Sequence, residues 1–172
     1  MKITFVDAIR LGFVNFRRFK GTATRPEYWY FILFSVLLGI VLSTIESIIW
    51  PIDESLQGLE ALNQPTPLTT VAGLILLLPT LALNARRFQD AGWSGKWLLL
   101  LLIPLIALGL ATFGLFDYLQ NTPVPTVETA AAVIAYFVPT LLLAGLVQIF
   151  FLVLTLLPSK TKEQGNRFAS DV

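Results

Sequence analysis

Residues 28–50 read YWYFILFSVLLGIVLSTIESIIW, a run in which Glu46 is the one formal charge. A helix rises about 1.5 Å per residue, so this run is long enough for the roughly 30 Å hydrocarbon slab of a bilayer. Moving outward, residues 68–85 carry only Thr69, Thr70, Thr80 and Asn84 as polar side chains and sit near the minimum spanning length. Residues 97–116 open on Trp97, where an interfacial aromatic belt residue belongs. Residues 130–157 are longer than an upright helix requires, so this segment must tilt, bend at Pro139 or begin in the headgroup layer. These runs predict an all-α polytopic membrane protein: one domain over 1–172 with four transmembrane helices. No run has the form of a signal-peptide core, and the first span is expected to be retained.

Composition agrees with lipid as the solvent. Apolar residues make up 55% of the 172, charged residues 13%, and the mean hydropathy is +0.73; a soluble domain has about a quarter of its residues charged. Cysteine and histidine are both absent, which removes disulfides and the usual ligand sets for zinc, copper, haem and iron–sulfur clusters. Only carboxylates, carbonyls and hydroxyls remain for a hard cation. No cofactor and no metal site is expected.

The charges orient the spans. Lys2, Arg10, Arg17, Arg18, Lys20 and Arg25 precede the first, Arg86, Arg87 and Lys96 lie between the second and third, and Lys160, Lys162 and Arg167 follow the fourth, which accounts for all 12 basic residues. Connections 51–67 and 117–129 hold none of them but carry Asp53, Glu54, Glu60, Asp117 and Glu128. By the positive-inside rule both termini and the middle loop are cytoplasmic and the two acidic connections are outside. The partner expected for such a face is the anionic headgroup layer, with a protein partner or a second copy as further candidates. No basic and aromatic module for reading nucleic acid is present.

Residues 1–20 also carry a pattern. Phe5, Val6, Ile9, Phe13 and Phe16 recur every three or four residues, with Arg10, Asn15 and Arg17 between them, which predicts an amphipathic helix in the plane of the cytoplasmic interface. A scaffold role for it is favoured over lipid sensing. Gly21 ends the pattern. Thr24, Arg25, Pro26 and Glu27 then match a capping box, with Thr24 as N-cap and Glu27 reaching back to its amide.

Three segments carry a family resemblance: Phe19-Lys20-Gly21 with Thr24-Arg25-Pro26-Glu27-Tyr28-Trp29; the run from Ala85-Arg86-Arg87-Phe88-Gln89-Asp90 through Ala91-Gly92-Trp93-Ser94-Gly95-Lys96-Trp97; and Gly165-Asn166-Arg167-Phe168. In order and spacing the chain resembles the bacterial membrane family called domain of unknown function 805. Gln89 stands where that family often has His, and Ala169 where Gly is common. The resemblance implies a small bacterial inner-membrane protein and brings no activity, substrate or cofactor with it.

All three segments fall on the side that the charges assign to the cytoplasm, so Arg25, Glu27, Arg86, Arg87, Asp90 and, from the cytoplasmic tail 158–172, Asn166 and Arg167 are expected to converge there. Two readings stand: an ion-pair and capping network that pins the segments together, which is favoured, and a cationic pocket for a lipid phosphate or another anion. Gly92 and Gly95 are read as positive-φ turn residues and Ser94 as a possible N-cap of the third span. Within the slab, Glu46 lies close enough to Trp50 to reach the outer interface, Gln148 is read as a partner for a neighbouring helix, and Pro79 and Pro104 as kinks for packing.

A structural or interaction protein binding headgroups or a partner is therefore the leading function, and a small oligomeric transporter or channel the alternative. An enzyme is disfavoured, because no nucleophile and base or carboxylate cluster shows itself. Cysteines placed within 55–65 or 118–128 should label from the periplasm, while residue 90 and the C-terminus should label only from the cytoplasm. Periplasmic labelling of an Asp90→Cys variant would overturn this orientation.

Overall fold

The computed structural model describes residues 3–50, 66–121 and 127–169. All regular structure among them is helical: α1 (Phe5–Val14), α2 (Arg25–Ile49), α3 (Pro67–Asp90), a 3-10 segment (Gly95–Leu101), α4 (Leu102–Asn121) and α5 (Val127–Leu156). Four stretches, Arg25–Ile49, Pro67–Asp90, Gly95–Asn121 and Ala131–Leu156, are long and apolar enough to cross a bilayer. The chain is an all-α polytopic membrane protein. Of the two acidic connections, 51–65 and 122–126 lie outside the described residues. The chain forms two compact units, one of Met1–Gly95 with Ser159–Val172 and one of Lys96–Pro158.

In the first unit, α1 is shorter than the 1–20 segment and starts at a capping box absent from the sequence reading. Asp7 N donates to Thr4 Oγ1 at 3.2 Å, and Thr4 N and Oγ1 donate to Asp7 Oδ2 at 3.1 and 2.6 Å. These bonds hold the Asp7 carboxyl below the usual carboxylate range. Val6 is 71% exposed, while Ala8 and Gly12 are buried. The reason is the close approach of α2. A Cβ on Gly12 would stand 2.2 Å from a ring carbon of Phe31. Phe13 then packs edge-on against Phe31 and Phe34, with centroids 5.8 and 6.2 Å away.

Thr24 caps α2 as read, accepting from Glu27 N at 3.4 Å, and Pro26 lies in the first turn. The Glu27 carboxylate does not serve the cap amide but goes to Arg86, described below. At the far end of α2, Glu46 acts on a different helix. Thr66 gives α3 no side-chain cap; instead Glu46 Oε1 accepts from the backbone amides of Leu68 and, at 3.1 Å, Thr69, and Oε2 accepts from Thr69 Oγ1 at 2.8 Å. The carboxylate is thus buried as a cap supplied across helices, where negative charge also suits the helix dipole.

Helix α3 continues past residue 85, its expected end, to Asp90, because no Gly or Pro interrupts it until Gly92. Arg86, Arg87 and Asp90 are therefore helical residues and not loop residues.

In the second unit, α4 and α5 pack where Gly114 leaves room for the Tyr136 ring; a Cβ there would lie 2.7 Å from it. The span expected from Trp97 begins as the 3-10 segment and turns α-helical just before Pro104. Pro104 has no N–H to give the carbonyl of Leu100, so α-type bonding cannot extend back through it. Helix α5 runs on through Pro139, and Gln148 is exposed on it.

Replacing Glu46 by Ala leaves at least two N-terminal amides of α3 without their acceptor and should cost about 1–3 kcal/mol. Glu46→Gln keeps one acceptor oxygen and should cost less. Melting temperatures of the three proteins in one detergent check the order, and equal values would remove the capping role.

Candidate functional site

A helix end leaves its last four carbonyls without intrahelical donors, and at α3 this end is buried. Every one of them finds a partner. Arg87 O accepts from Ala91 N at 3.2 Å, Phe88 O from Trp93 N at 2.8 Å, Gln89 O from Gly92 N at 3.0 Å and Asp90 O from Lys160 N at 2.9 Å. The Trp93 and Gly92 bonds form a Schellman motif, which needs the left-handed conformation that Gly92 adopts at φ +85°. One turn earlier, Arg86 O accepts from Ala23 N at 3.2 Å.

Asn166 joins the C-terminal segment to the same end. Its Nδ2 lies 2.9 Å from Gln89 O, 3.0 Å from Lys160 O and 3.3 Å from Asp90 O, and its Oδ1 accepts from Phe168 N at 3.0 Å. Gln89 ties in the segment before α2: Nε2 donates to Phe19 O at 2.7 Å and Oε1 accepts from Gly21 N at 3.0 Å. Gly95 is required here by crowding and not by a positive φ, correcting the expectation for that residue. Its φ is ordinary, but a Cβ would meet Gln89 Nε2 at 2.6 Å.

The charges are arranged in two pairs. Arg87, fully buried, donates from Nη1 to Asp90 Oδ2, and Ser159 Oγ donates to the same oxygen. A carboxylate on a C-terminal turn opposes the helix dipole, so these donors are what keep Asp90 in place. Arg86 donates from Nη1 to Glu27 Oε1 at 2.8 Å, with both side chains buried. Its Nε and Nη2 are also buried and reach no acceptor among the described residues, at a cost of about 1–3 kcal/mol for each such donor.

Of the residues singled out in the sequence, Glu27, Arg86, Arg87, Asp90 and Asn166 come together, with Gly92 and Gly95 shaping the turn and Thr24 capping α2. Ser94 immediately precedes the 3-10 segment. Arg25 is exposed but close enough for its charge to act on Arg87 and Asp90, while Arg167 is exposed with its guanidinium 4.9 Å over the Phe168 ring. Two members were missed. Gln89 offered a signal, an amide whose donor and acceptor can both satisfy a turn; Ser159, after Pro158, offered none.

The model of a protein family of unknown function, DUF805, matches residues 16–170. The chain belongs to the DUF805 family. Inner membrane protein YhaH of Escherichia coli (strain K12) is 35% identical to it over 92 residues, 54% of this chain and 69% of that protein. Inner membrane protein YhaI of the same strain is 36% identical over 92 residues, 54% of this chain and 68% of that protein. No solved structure matches. The DUF805 match contains all three segments that meet at the end of α3, those around residues 19–27, 85–95 and 159–168.

In this DUF805 chain, Asp90→Ala strands the buried Arg87 charge and should destabilise by about 3–5 kcal/mol, whereas the double change Arg87→Met with Asp90→Leu should recover much of that loss. A double-mutant cycle on melting temperature checks this, and additive losses would show that the pair is not coupled. Asn166→Ala should lower stability by about 1–3 kcal/mol through the carbonyls it leaves unserved.

Proposed function

We propose that this chain is an inner-membrane structural or interaction protein whose basic face lies on the cytoplasmic side and docks on anionic lipid headgroups. The supporting observation is a division of labour among the cations. Arg86 and Arg87 are buried and each is paired with a carboxylate, while Arg10, Arg17, Arg18 and Lys20 are exposed within one stretch. Exposed apolar side chains lie beside them: Val14 at 68%, Phe19 at 41% and Phe13 at 37%. Cations interleaved with apolar residues at a membrane border suit a layer that offers phosphates outside and acyl chains beneath. Near an anionic surface each such cation contributes about 1 kcal/mol, and salt screens that contribution. The twelve-to-none distribution of basic residues between the two sides supports the orientation, and the relatives named inner membrane proteins support the location.

Changing Arg10, Arg17, Arg18 and Lys20 together to Gln should sharply reduce the anionic phospholipid that co-purifies at low salt, with little change in melting temperature, because none of these four is in the buried cluster. Undiminished lipid would overturn the docking role.

A further inference from the structure

We propose that the Nε–Nη2 edge of Arg86 is a bidentate receptor for a phosphoryl oxyanion, drawn from a lipid phosphodiester or from free phosphate. A guanidinium is planar and carries five N–H donors. Nε and Nη2 share one edge, where their N–H bonds run side by side at the spacing that two oxygens of a phosphoryl group accept. In Arg86 this edge is unmatched by any acceptor among the described residues, although the residue is 95% buried.

The carboxylates that might close the edge are committed elsewhere. Glu27 takes Nη1 of the same side chain, and Asp90 takes Arg87 and Ser159. A water molecule offers a single neutral oxygen where two parallel charged donors await two acceptors. A phosphoryl group supplies both oxygens and a countercharge. Such groups are also abundant at this depth, since Arg86 lies four residues before the last residue of α3, at the border of a span. The segment next to it is slight: Gly21, Thr22 and Ala23 are tied down by the two Gln89 bonds and by Ala23 N to Arg86 O. Arg86 shares a membrane face with the docking residues described above, but the site is distinct, because it is enclosed and takes one anion per chain.

The test uses the full chain in a neutral detergent, washed in high salt, with phosphatidylglycerol and inorganic phosphate added in separate arms. Bound lipid is counted by native mass spectrometry and phosphate affinity is read from thermal-shift titration. The parent should hold one phosphatidylglycerol or one phosphate per chain through the salt wash. Arg86→Lys keeps the charge but loses the parallel fork, and should weaken binding at least tenfold. Glu27→Gln removes the adjacent negative charge and should tighten it. Binding in the lipid arm alone identifies a headgroup as the ligand, and binding of phosphate at equal or higher affinity identifies a soluble anion. The four-residue Gln variant of the docking surface should leave this salt-resistant binding intact, so loss of one role is distinguishable from loss of the other. The proposal is overturned if the parent binds neither probe, or if Arg86→Lys binds as well as the parent. If Arg86→Lys does not fold, equal affinity of the parent and Glu27→Gln overturns it.

Discussion

The two ends of α3 must be satisfied where water is scarce, and much of the first unit is arranged to meet that requirement. Hydrocarbon offers no partner to a bare amide or carbonyl, so each unsatisfied group at a helix end needs a donor or acceptor brought from elsewhere in the chain. At the start of α3 the acceptor is Glu46, from the last turn of α2. At its end the donors come from Trp93, Gly92, Lys160 and Asn166, with Ala23 one turn before. Helix α3 is therefore held by its backbone polarity as much as by apolar contact, and α2, the segment before it and the C-terminal segment are fixed in relation to one helix.

Arg86 and Arg87 are neighbours in sequence but face different partners, because successive helical residues point about 100° apart. Arg87 turns toward Asp90, and Arg86 toward Glu27 on α2. Arg86 thus joins α3 to α2, whereas Arg87 pairs within α3 with the carboxylate that Ser159 of the C-terminal segment also reaches. Lysine is a poor replacement for either, since a rotating ammonium lacks the planar fork.

The spans could be read from the sequence because a bilayer imposes one length and one composition on each, and four apolar runs meet both. The cap at Thr24 was readable because its donor and acceptor lie three residues apart. Readability failed where the partner is remote in sequence. Glu46 bonds residues 22 and 23 positions away, Gln89 bonds residues 70 and 68 positions away, and Ser159 meets Asp90 across 69; no local pattern announces such pairs. The residues of α1 that meet α2 were not readable for another reason: hydrophobic periodicity gives weight to large side chains, while close approach to α2 selects Ala8 and Gly12. Arg167 was grouped with the buried cluster by charge and motif alone, which say nothing about direction.

The first unit is discontinuous, and this has a consequence for biosynthesis. Glu46 is made before α3, so the acceptor for the first amides of α3 already exists when that helix leaves the ribosome. The opposite end has to wait. Ser159, Lys160 and Asn166 are translated only after residues 96–158, and until then Asp90 and the last carbonyls of α3 lack those donors. A nascent chain stopped before residue 159 carries every transmembrane span yet lacks its closing clasp, so the polar end of α3 distinguishes a finished polypeptide from a truncated one.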